Sequence, residues 1–167
     1  MNKIWPLYAG ALLLAVETGL VALAQNPPQP TRPAAGSVLA TGQYADDPDL
    51  QCDLLEVKRV SGGALLVRWR ITNTAPQTTG LTGSKPKVIY FNPDWRQLYY
   101  IVPAENKKYQ FLTDSAGNEI REVFAGNIEA GQQRVNWAKF PAPPATSMKI
   151  SIAIPKFPPF EDIPVGQ

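Results

Sequence analysis

Apolar and polar residues alternate most cleanly in ALLVRWRITNT (residues 64–74). Leu65, Val67, Trp69 and Ile71 fall on one face there, and Leu66, Arg68, Arg70 and Thr72 on the other. A period of two with one apolar side is the pattern of a strand with a buried face and a wetter face. CDLLEVKRV (52–60) reads as the strand before it, with SGG (61–63) as the turn between them. KVIYF (87–91), QLYYIVPA (97–104), KKYQFLTD (107–114), EIREVF (119–124), QRVNWAKF (133–140) and MKISIAIP (148–155) continue the series. In the last of these Ile150, Ile152 and Ile154 share a face, and Trp137 is the last inward residue expected of 133–140. Residues 75–86, 92–95, 115–118 and 125–132 are rich in Gly, Pro, Asn, Asp and Thr and read as turns and loops. Strands recurring roughly every ten to fifteen residues, with no sustained helical period, predict an all-β domain. The expected architecture is an immunoglobulin-like antiparallel β-sandwich of seven to eight strands; a small closed β-barrel is the alternative.

The first 45 residues break this pattern. Residues 1–24 carry one cation, Lys3, ahead of a mostly apolar stretch that ends Ala22-Leu23-Ala24. Small residues two apart at that place predict a signal peptide cleaved after Ala24. The same stretch is about long enough to span a bilayer, so an N-terminal inner-membrane anchor is the alternative, against which Glu17 stands as a costly charge in lipid. Residues 25–45 are rich in Pro, Ala, Gly and Thr and read as a flexible, partly polyproline linker. Residues 46–167 are then the sandwich domain. The expected location is periplasmic or extracellular, with no stable membrane insertion after cleavage.

Composition narrows the chemistry. Of the 167 residues 44% are hydrophobic and 18% charged, which suits one domain with an ordinary core. The net charge is +2, with scattered cations, which gives no footprint for nucleic acid. Histidine is absent, so Ser-His-Asp and Cys-His catalysis are excluded and the commonest metal ligand is missing. The single cysteine, Cys52, cannot form an internal disulfide and reads as a small buried apolar residue. Asp46, Asp47 and Asp49 offer hard oxygen ligands but lack the spacing of a calcium loop. With Glu119 and Glu122, and with Glu161 and Asp162, they are also sequence-close carboxylates from which a paired-acid hydrolase could be built. These features predict no enzyme, no cofactor and no metal site. A small-ligand carrier, or a carboxylate-based or metal-dependent enzyme, is the alternative.

The remaining candidates are contact residues. Trp69 and Trp137 sit in alternating runs and read as core. Trp95 lies in the NPDW turn beside Arg96 and is the better candidate for an exposed contact, although packing is the first reading for it too. KFPAPPA (139–145) and KFPPFEDIPV (156–165) both open on Lys-Phe-Pro where a strand run stops. Proline lacks the N–H that a sheet ladder needs, so both segments read first as strand punctuation. The terminal copy is expected to be an extended tail with Phe157 and Phe160 packed back on the domain, and secondarily a docking motif that includes Glu161 and Asp162. The candidate interaction surface is therefore Trp95, Arg96, Phe157, Phe160, Glu161 and Asp162.

WAKFPAPP (137–144) and PPFEDIP (158–164), with NKKYQFLTDSAGNEI before them, resemble exported bacterial envelope proteins. In that group an immunoglobulin-like module stands alone or ahead of a peptidoglycan-binding domain of the outer-membrane-protein-A type. The resemblance covers about residues 53–165. It implies a sandwich fold and an envelope location, with no catalytic or ligand residues to carry over. The sequence reaches Gln167 without the peptidoglycan-binding domain, so that domain's function is not expected here. The function expected is a non-catalytic module, protein-binding or structural, whose partner is another envelope protein.

Overall fold

The computed structural model describes residues 37–77 and 86–167. The expected signal peptide, most of the expected linker and part of the 75–86 loop lie outside the described residues. Within them, one sheet has the strand order β1 (Ala40–Gln43), β2 (Leu50–Val60), β3 (Ala64–Asn73), β9 (Gln133–Pro141), β7 (Arg121–Glu122). A second sheet has the order β11 (Phe160–Pro164), β10 (Lys149–Ala153), β5 (Tyr99–Val102), β6 (Lys107–Tyr109). β4 (Val88–Phe91) and β8 (Gly126–Glu129) form a separate two-stranded ribbon. Every strand pairing is antiparallel and no sheet closes on itself, so the architecture is an open β-sandwich and not a barrel.

The alternation in β3 sets the core. Leu65, Val67, Trp69 and Ile71 are fully buried, and the register of β9 places Phe140 and Ala138 opposite Leu65 and Val67. That register corrects the reading of Trp137. It pairs with Arg68, an outward residue, and its Nε1 donates to Glu122 Oε2 at 3.0 Å. The inward residues of β9 are Asn136, Ala138 and Phe140. In β2 the inward positions run Leu50, Cys52, Leu54 and then jump to Val57. The jump is a bulge between Leu54 and Glu56, where one extra residue reverses the parity of the strand. Cys52 is buried, and burial pushes its thiol pKa well up.

Three strands lie where loops were expected. Residues 40–43, read as linker, pair with β2, and Gly42 lies beneath the Phe160 ring. Residues 126–129, read as a turn-rich link, pair with β4 through a strand that turns only Ile128 inward. The terminal segment, read as a tail, becomes β11. The expected runs 107–114 and 119–124 shorten to β6 and β7. Between them, Leu112 N–H donates to Lys139 O and Lys139 N–H to Ile120 O, which holds the crossing against β9.

The outer face of the five-stranded sheet carries one buried charge. Asp53 accepts from Arg70 Nη2 at 2.6 Å, Gln51 Nε2 at 2.8 Å and Thr41 Oγ1 at 2.9 Å. Burial opposes its ionisation, but these donors and the Arg70 charge outweigh it and hold the pKa below the ordinary carboxylate value. A lowered folded pKa contributes stability that is present above about pH 4 and is lost as pH falls through the folded value. Asp53→Asn should therefore lower the urea midpoint at pH 7, by about 1–3 kcal/mol in stability. It should also flatten the acid side of the stability–pH curve. A variant curve parallel to that of the parent protein down to pH 3 would remove Asp53 from the account.

Candidate functional site

The six residues singled out from sequence separate into three groups. Trp95 is not exposed. Asp94 caps a short 3-10 turn, Trp95–Gln97, by accepting from the Arg96 N–H at 3.2 Å. That turn swings the indole into the core, where it is 7% exposed, with its ring 5.7 Å from Trp69 and 5.8 Å from Phe91. Phe157 and Phe160 are buried too. Phe157 packs against Tyr44 at 5.5 Å and Phe91 at 6.1 Å. Glu161 and Asp162 are exposed on the outer strand β11, and Asp162 lies 3.6 Å from Lys149. Asp162 has φ +55 at a bulge that separates Phe160 from Ile163, so both apolar residues reach the core while the acids face water.

Arg96 is the exposed member. Its side chain is 85% accessible and pairs with Asp94 through Nε at 2.9 Å. It lines a surface cleft of about 370 Å³ together with Tyr99, Lys108, Ile154, Lys156 and Phe157. The sheet builds this cleft. β5 pairs Tyr99 with Ala153 of β10 and Ile101 with Lys108 of β6, so Lys108 stands on the same outer face as Tyr99. Its Nζ lies 3.7 Å from the centre of the Tyr99 ring, a cation–π contact. Beyond β10 the chain reverses in a β-turn closed by Phe157 N–H to Ile154 O at 3.1 Å, with Pro155 and Lys156 in the middle. Lys156 has φ +69, a left-handed conformation that costs a residue other than glycine about 1–2 kcal/mol. Its Nζ lies 3.4 Å from Asp46, outside the cleft lining. Arg96, Lys108 and Lys156 thus line the cleft around the half-buried Tyr99 ring, with the buried Ile154 and Phe157 beneath it, and no acid lines it.

Of the residues brought together, Arg96 and Phe157 were singled out from sequence as contact residues. Tyr99 and Lys108 lay within two of the predicted strand runs, 97–104 and 107–114, and Lys156 appeared only in a proline motif. Nothing in linear spacing joins residues 96–99, 108 and 153–159; the register of β5 with β6 and β10 does.

Most of the carboxylates considered for chemistry are engaged by their own neighbours. Lys87 Nζ sits between Asp47 Oδ1 at 2.7 Å and Asp49 Oδ2 at 2.8 Å, the place a bound cation would take. Its hydrogen bond holds the Asp47 pKa down. Glu119 pairs with Arg121, and Glu122 accepts from Trp137. Among the described residues no group of three or more His, Cys, Asp or Glu is arranged to hold a metal ion. No protein-family model matches the chain, and neither a curated protein nor a solved structure matches it.

Proposed function

We propose that this chain is a non-catalytic module of the bacterial envelope, exported by its N-terminal segment, that acts by binding another envelope protein. The observation that carries the reading is the surface cleft lined by Arg96, Lys108 and Lys156, which gathers three cations and no acid. Binding suits this surface better than catalysis. Every carboxylate whose pKa is shifted, namely Asp47, Asp53, Glu56, Asp94 and Asp114, is shifted down, whereas a general acid needs its pKa raised toward neutrality. Binding also suits it better than ligand carriage. The space between the sheets is filled by Trp69, Tyr100, Phe91 and Phe140, all fully buried. Export and envelope location rest on residues 1–24 and on the family resemblance. Among the described residues no helix is long and apolar enough to cross a membrane.

A photoreactive amino acid at Gln97, on the cleft lining, tests the reading in living cells. We expect one discrete adduct with an envelope protein, and none from the same group placed at the exposed Tyr90 on the ribbon. Equal adducts at both positions, or none at Gln97, would overturn it.

A further inference from the structure

We infer that the Arg96–Lys108–Lys156 cleft recognises an acidic peptide segment of its partner, one in which carboxylates alternate with apolar side chains; this rests on the binding-module reading above. Charge complementarity points to the occupant. Three cations surround the cleft and no acid lines it. Arg96 and Lys156 each pair with an acid just outside, Asp94 and Asp46, and both side chains stay more than half accessible. Lys108 is exposed on the cleft lining and held over Tyr99.

The cleft's backbone argues for carboxylates against phosphate. Phosphate sites are built from convergent free N–H groups. Here the Phe157 and Gln97 N–H groups are spent on Ile154 O and Asp94 O, and the Arg96 N–H on the Asp94 side chain. What remains is side-chain charge around Tyr99, Ile154 and Phe157. That suits carboxylates on apolar stems, whose methylenes and neighbours pack on the Tyr99 ring while the charge meets the rim.

Lys156 supplies a second argument. The turn position it fills is one that glycine takes without steric cost. A lysine there puts a cationic side chain on the cleft lining at the expense of backbone strain. Replacing it separates structure from recognition, because Lys156→Gly relieves the strain and removes the charge together.

The test uses a fluorescein-labelled octapeptide of alternating Glu and Phe, titrated with the protein at low salt and read by anisotropy. Inorganic phosphate, a Lys/Phe peptide and phosphatidylglycerol vesicles serve as comparisons. We expect saturable binding of the acidic peptide alone, weakened by added NaCl. Lys108→Gln should weaken it about three-fold, and Arg96→Gln with Lys108→Gln about ten-fold, the size expected for exposed charge pairs. Lys156→Gly should weaken binding about three-fold while the melting temperature holds or rises. A falling melting temperature with unchanged affinity would make Lys156 a structural residue and overturn its part. No saturable peptide binding, or vesicle binding with the same sensitivity to the variants, would overturn the inference. The two readings fail separately. A Gln97 adduct in cells that survives Arg96→Gln with Lys108→Gln leaves the binding module standing without the acidic peptide. Absence of any Gln97 adduct removes the module reading itself.

Discussion

A chain ended after Pro155 will not fold. The segment it loses carries Phe157, Phe160, Ile163 and Val165, each buried in the core. Truncating a single such side chain to Ala costs about 2–5 kcal/mol, and a whole domain is stable by only about 5–15 kcal/mol. The segment also ties the two main sheets together. β11 pairs with β10 in one sheet. Beyond it, Gly166 accepts from the Arg59 N–H and donates to Val57 O on β2 of the other, both at 2.9 Å. Gly42 of β1 lies against Phe160, and Lys156 O accepts from the Ala45 N–H at 2.8 Å. Circular dichroism of the truncated chain should show no cooperative melt. A melting temperature equal to that of the full chain would mean that the terminal segment is a free arm.

Trp95→Ala should cost about 3–5 kcal/mol, the range for removing a buried indole. For a domain of this size that is a fall in melting temperature on the order of 10–20 °C. The indole touches Trp69 and Phe91 and closes the core beneath the 3-10 turn. Trp95→Phe should cost much less. It keeps an aromatic ring, and the Nε1–H that it removes has no acceptor among the described residues. An exposed contact residue would behave differently, with both variants melting within a degree or two of the parent protein. The pair therefore separates the core role from the surface role read in the NPDW turn.

How legible a segment was depended on whether its two faces differ at a constant period. β3 keeps the period of two for ten residues, so its inward set could be read directly. β2 breaks it at Leu54–Leu55, and that parity jump is itself the sign of a bulge. β11 hides its strand twice over. Its prolines read as breakers, yet Pro164 is tolerated on an outer strand, and the bulge spaces Phe160 and Ile163 by three instead of two. The surface reading of Trp95 arose because Asn92, Pro93 and Asp94 announce a turn, and a turn does not say which side chain it aims inward. The bulk of the indole was the better guide. Trp137 was misplaced by one residue, because only pairing with β3 fixes the parity of β9. The cleft was not legible at all. Its cations come from a 3-10 turn, a short outer strand and a β-turn, and they meet only through strand register.

Mapping the acidic peptide on the protein by amide chemical shifts tests the central claim most directly, since it reports where binding occurs as well as whether it does. The account predicts saturable shifts confined to Arg96, Gln97, Tyr99, Lys108 and the 154–157 turn, around the cleft. Shifts centred instead on Arg68, Trp137 and Glu122, across the outer face of the other sheet, would contradict it.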